Sequence, residues 1–322
     1  MNVFYNIFTN SLNLGLIYAI LGIGVYIAYR VLDIADLGAE GVFPLGGAVT
    51  ILMILLGIPP ILAVLLAFIA GGLMGLLTGV LHTKLRIPPL LAGIITMVMC
   101  VPISQLLNGI SQTLTSPQTQ TNVGDFVGLV MLPTRTPTLF SFFKDLMGEW
   151  GYIVTSLLTI AVIIAILYWF FGTELGITIR ATGKNKIMSR AQGIDTDGRV
   201  ILGLVISNAI VAMSGSLFSQ FMLTSNSTFG QGTIVIALAS ILLGEAIMLY
   251  GKPNFAISLL SVFVGTFAYQ VVINLAMRLF DDGYLKLIQA ILFILILCIP
   301  LFKKQIAIIK KKLKMRRLDA NA

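Results

Sequence analysis

The chain has 322 residues, of which 57% are hydrophobic and only 11% charged, against about 25% charged in an ordinary soluble domain. With a mean hydropathy of +0.99, there are too few ionic groups to coat a water-exposed surface, and a soluble enzyme is excluded. The formal charge of +8 is concentrated, because eight of the 21 Lys and Arg residues lie between Lys303 and Arg317, the pattern of a membrane-orientation signal.

A bilayer core about 30 Å thick needs roughly 20 apolar residues of helix to cross it. In chain order, runs of that kind occur at approximately 9–29, 39–56, 60–82, 88–110, 151–171, 200–222, 232–250, 255–277 and 284–302. The expected fold class is all-α: a polytopic membrane protein of about nine transmembrane helices, some of them broken or re-entrant. The first run lacks a basic leader and a clean cleavage site, and reads as a retained helix. The second is rich in Gly between Asp33 and Gly47 and is interrupted by Pro44, so it is expected to be bent or re-entrant under a cover of protein or water. In the third, Gly71, Gly75 and Gly79 form two G-x-x-x-G steps on one side, a pattern for close helix packing rather than for holding a substrate.

Residues 1–302 are expected to form one transmembrane domain and 303–322 a basic tail. Retained Lys and Arg gather on the cytoplasmic side. With the C-terminus inside and nine alternating spans, 17 basic residues fall inside and four outside (Arg135, Lys144, Arg278 and Lys286). The N-terminus is therefore predicted outside. The external loop 111–150 opens with polar residues suited to a partner, and Leu139, Phe142, Phe143, Leu146, Met147 and Trp150 follow helical spacing, as an anchoring or interfacial helix would. The tail runs straight on from the last span without an aromatic residue from Lys303 onward, which favours anionic lipid over nucleic acid.

Polar side chains at depth are costly and turn toward protein or water. Gln105, Asn108, Asn208, Gln220, Ser240, Gln270 and Asn274 are the candidates for lining a translocation path, with bonding to neighbouring helices the simpler alternative for each. Glu40 and Glu245 fall near the inside ends of their spans and are expected to pair with basic residues of inside loops. No Asp, Glu, Lys or Arg stands near the centre of a span, as a proton-driven carrier commonly requires. Cys100 and Cys298 are far apart and His82 is the single histidine, so no disulfide or metal site is expected. No nucleophile is clustered with a base.

The inside loop 172–199 carries the most specific signal. Within GTELGITIRATGKNKIMSRAQGIDTDG, the stretch Asn185–Gly193 has the parts of a very short helix. Asn185 is its N-cap and Gly193 its left-handed stop. Ile187, Met188 and Ala191 share one side, flanked by Lys186 and Arg190. Two turns do not hold themselves together in water, so this element is expected to dock. A solvated connector whose charges only set topology is the plainer reading.

The stretch IRATGKNKIMSRAQGID resembles the cytoplasmic coupling segment of permease subunits of bacterial ATP-binding-cassette importers of the branched-chain amino acid and ribose type. Arg180, Ala181, Gly183, Asn185, Ala191, Gly193 and Ile194 match its pattern, while Met188 and Ser189 stand where Ala is more usual. DIADLGAEGVFPLGGAV and TFGQGTIVIALASILLGEAI are similar to the family's paired membrane motifs, although Glu245 follows Gly244 where a second Gly is frequent. The resemblance implies a non-catalytic subunit of the bacterial cytoplasmic membrane, paired with a second copy or a related subunit. It implies an ATPase docked inside on Arg180, Gly183, Asn185, Ile187, Met188, Arg190, Ala191, Gly193 and Ile194, and a binding protein or lipoprotein outside. No G-x-x-x-x-G-K-[ST] loop is present, so no cofactor is expected in this chain, and ATP and Mg would be held by the partner. The apolar path suits a branched-chain or aromatic amino acid. A monosaccharide or nucleoside importer and an ion-coupled secondary carrier built on broken helices are the alternatives.

Overall fold

The computed structural model describes residues 2–115, 129–133, 136–141, 148, 150–248, 254–279 and 286–298. The tail 303–322 and positions 142–147 of the proposed interfacial helix lie outside the described residues. The chain opens with α1 (Asn2–Tyr26), whose end loosens into a π-turn, Ile27–Val31. After α2 (Ala39–Leu55), α3 (Pro60–Thr83) and α4 (Pro89–Thr115) comes a short strand β1, Leu129–Met131. Helix α5 (Trp150–Gly172) leads to two surface helices, α6 (Glu174–Lys184) and α7 (Lys186–Ala191). The long α8 (Thr196–Met222), β2 (Thr224–Asn226), a 3-10 turn at Ser227–Gly230, α9 (Thr233–Met248) and α10 (Phe255–Leu279) follow. The described part of α11 is Lys286–Cys298.

Among the described residues, seven helices are long and apolar enough to cross a membrane, and α2 and the described part of α11 are shorter apolar helices. The described parts of the nine expected runs are all helical, and seven of them reach spanning length within the described residues. Helix α2 is short because it is an inner element: Val42, Phe43, Leu45, Ala48 and Ile51 are all buried. Pro44 lies inside it. A proline has no N–H to offer the carbonyl one turn back, here that of Glu40, and Gly230 approaches that carbonyl so closely that a Cβ would overlap it.

Helix α8 is the axis of the packing. The ridge Gly71, Gly75 and Gly79 of α3 lies on it, so that a Cβ at Gly75 would overlap the Leu204 carbonyl and one at Gly79 would stand 3.0 Å from the Ile201 Cα. On another side, Ser207 and Ser214 of α8 donate hydroxyl hydrogens to the Gly24 and Ile17 carbonyls of α1, both at 2.8 Å. Thr50 of α2 bonds Ser216 at 2.7 Å. These small residues let backbones meet without the hydrophobic effect, which lipid does not supply. Leu62, Leu65, Ile69 and Leu73 on α3, and Leu157, Ile166 and Trp169 on α5, are exposed instead, as lipid contact requires. Gly244 is closely packed despite the following Glu245, its Cβ position overlapping the Ser261 carbonyl of α10.

At one end of α8, Leu129, Val130 and Met131 pair antiparallel with Asn226, Ser225 and Thr224, a small β-ladder that the all-α expectation did not contain. The opposite end of α8 adjoins α6 and α7.

Candidate functional site

Thr173 caps α6, its hydroxyl accepting the Gly176 N–H at 3.4 Å. Ile179 and Thr182 turn inward, while Gly183 presses on the end of α1, where a Cβ would overlap the Val31 carbonyl. Arg180 lies 5.5 Å from the Phe255 ring centroid, with its Nε buried. The loop is therefore seated on the ends of α1 and α10, not suspended in solvent.

The chain then turns at Asn185, whose side-chain oxygen accepts the Met188 N–H at 2.9 Å and starts α7. Ser189 is the buried residue of this helix, whereas Ile187 and Met188 are 85% and 59% exposed and Ala191 is exposed beside them. Gly193 has φ +80° and ends the turn, its N–H reaching the Arg190 carbonyl at 3.0 Å, while the Ile194 N–H reaches Ser189 at 3.1 Å. Arg190 bonds the Thr196 hydroxyl at 3.0 Å and Asp197 at 2.9 Å, and Lys186 stands 3.4 Å from the same carboxylate. Helix α7 is thus tied by charge to the first turn of α8 and presents an apolar face outward.

The candidate path residues are not gathered into one group. Gln105 and Asn108 are on α4, Asn208 and Gln220 on α8, Ser240 on α9, Gln270 and Asn274 on α10. Asn274 bonds Ser11 at 2.7 Å, Gln220 accepts the Leu139 N–H at 2.9 Å, and Ser240 bonds the Ile236 carbonyl of its own helix at 2.7 Å. Asn108 and Gln270 are buried, and Gln105 is half-buried. Asn208 bonds a carboxylate, that of Asp36, at 2.7 Å. Asp36 is buried and also accepts the Gly38 N–H at 2.8 Å. The search for charge at span centres missed it because Asp36 lies between two helices, in a segment folded back into the interior.

Glu40 and Glu245, one from each of the paired motifs, behave differently. Glu245 pairs with Arg30 of the π-turn, Nε to Oε1 being 2.7 Å. Glu40 departs from the expected pairing with an inside basic residue, since it accepts the Gly232 N–H at 3.1 Å. The re-entry of the chain before α2 carries it away from the basic loops. Next to Gly230, which meets the Glu40 carbonyl, Phe229 belongs to a cluster of rings that the sequence reading did not single out. Phe43 and Phe218 are 5.5 Å apart, Phe218 and Phe229 5.5 Å, and Tyr18 stacks on Phe43 at 6.0 Å. No group of His, Cys, Asp and Glu suited to a metal ion occurs among the described residues.

A family model described as branched-chain amino acid transport system / permease component matches residues 7–297. The chain belongs to this family of importer permeases. It is 36% identical over 280 residues to a tyrosine transport system permease protein of Clostridioides difficile, covering 87% of this chain and 86% of that one. It is 23% identical to a ribose import permease protein of Haemophilus influenzae, over 86% of this chain and 79% of the relative. A D-allose transport system permease protein of Escherichia coli is also 23% identical, over 77% of this chain and 70% of its own. No solved structure matches. In this permease family setting, the seven apolar helices of spanning length belong to a multi-pass membrane protein.

Proposed function

We propose that the chain forms the translocation path of an ATP-driven, binding-protein-dependent importer in a bacterial cytoplasmic membrane, with the N-terminus outside and the C-terminus inside. The observation that carries this reading is α7, a capped two-turn helix with Ile187 and Met188 turned outward. In this reading it sits in a groove on an ATPase subunit that holds ATP and Mg. Closure of the ATPase around nucleotide displaces α7, and the displacement passes through Gly183 to α1 and through Asp197 to α8. The result is an exchange between two packed states rather than a chemical step in this subunit. A second permease copy or a related subunit completes the path, a substrate-binding protein or lipoprotein delivers the solute outside, and the basic tail lies on anionic lipid.

The proposed cargo is an amino acid with an apolar or aromatic side chain. The Tyr18, Phe43, Phe218 and Phe229 cluster and the tyrosine permease relative support this. The sugar permeases among the relatives favour a monosaccharide as the second reading. The test is a reconstituted complex with its ATPase and binding protein. Ile187→Asp together with Met188→Asp is expected to abolish ATPase co-purification and uptake while the variant still inserts in the membrane. Undiminished ATPase association, or solute accumulation by the lone chain in nucleotide-free liposomes, would overturn the reading.

A further inference from the structure

Charges within a membrane-spanning protein are held by an opposite charge or kept for a function. Several charged side chains among the described residues have no opposite charge beside them, the buried Asp36 included; Glu40 and Lys286 are two that meet at a single turn. The Glu40 carboxylate is half-buried and accepts the Gly232 amide at 3.1 Å. Lys286, at the start of α11, gives its ammonium to the neutral side chain of Gln231 at 2.6 Å. Gln231 and Gly232 are adjacent, so one dipeptide carries an acid on one side and a base on the other, yet no ion pair joins the two.

The backbone explains the arrangement. Gly232 has φ +86°, a conformation costly for other residues, and it turns the chain from the 3-10 turn into α9. Gly230 meets the Glu40 carbonyl, so the turn is pinned to the start of α2. Phe229, beside it, leads into the ring cluster through Phe218 to Phe43 and Tyr18.

We infer that Glu40 and Lys286 form a reading site for a zwitterion, Glu40 taking the α-ammonium and Lys286 the α-carboxylate of an amino acid whose aromatic or apolar side chain lies on the partly buried ring of Phe229. The site deepens the transport reading and rests on it. It also separates the two cargo classes, because a sugar has neither charge for the two residues to bind. Each contact is a hydrogen bond to a charged group, so losing one is expected to cost about tenfold in transport.

The experiment uses the complete importer in proteoliposomes, with saturating binding protein loaded with L-tyrosine and, separately, L-leucine or ribose. Glu40→Gln and Lys286→Gln are each expected to lower amino-acid uptake about tenfold per ATP hydrolysed. ATP hydrolysis stimulated by the binding protein stays within about twofold, which shows a folded, docked complex. Glu40→Asp and Lys286→Arg are expected to keep most of the uptake. Unchanged uptake in both glutamine variants overturns the site and leaves the coupling reading standing. Loss of stimulated hydrolysis together with uptake overturns it as well, since the residues would then hold the fold. Uptake of ribose without either amino acid overturns both the site and the proposed cargo, whereas failure of the unaltered chain to engage an ATPase is the separate failure of the coupling reading.

Discussion

Asn208 illustrates how one side chain changes meaning between sequence and structure. As a polar residue in an apolar run it is a candidate for contacting cargo, but in the fold both of its amide hydrogens are used, on Asp36 at 2.7 Å and on the Leu204 carbonyl at 3.1 Å. Removing one partner of a buried carboxylate costs roughly 1–3 kcal/mol or more, whereas an uncharged group left there costs less. Asn208→Leu is therefore expected to lower the melting temperature of the purified protein, and adding Asp36→Asn to recover part of the loss. An unchanged melting temperature in the single variant would show that the pair contributes nothing. Asn185 was legible because a cap's side chain accepts an N–H only three residues further on, here that of Met188, and local chemistry can be read along a chain. The Asp36–Asn208 bond spans 172 positions and Arg30–Glu245 spans 215, and no local pattern announces either.

At the scale of helices, the apolar runs were readable because proline and glycine punctuate them. Pro60 and Pro89 begin α3 and α4, and the positive φ of Gly57 marks the turn before the former. What the runs did not distinguish was an inner helix from a lipid-facing one, since both are uniformly apolar and differ only in what surrounds them. The glycine ridge of α3 separates the two cases experimentally. Gly75→Ala sets a methyl group against the Leu204 carbonyl and is expected to destabilise by about 1–3 kcal/mol. Gly109→Ala meets nothing within 4 Å and is expected to be neutral or to stabilise slightly, by up to about 1 kcal/mol from helix propensity. Equal melting temperatures for the two variants in detergent would remove the argument that α3 and α8 touch through backbone.

For the molecule as a whole, the proposed topology puts α7 in the cytosol and the turn at Gln231 and Gly232 toward the outside. A cysteine at position 187, in a background without Cys100 and Cys298, is expected to react with a membrane-impermeant maleimide only after cells are opened. Labelling of intact cells would invert the topology. The two ends of α8 are fastened by different kinds of bond. Near Thr196 the fasteners are Lys186 and Arg190 on Asp197, side chains in contact with water that exchange partners readily. Beyond Met222 the fastener is the paired backbone of Leu129–Met131 and Thr224–Asn226, which yields only by breaking several hydrogen bonds at once. Between these two ends the near half of α8 lies against the α3 ridge, at Ile201 and Leu204, so in the proposed coupling a push where α7 sits carries α3 along with α8, and the rim by the ladder is the last part to yield.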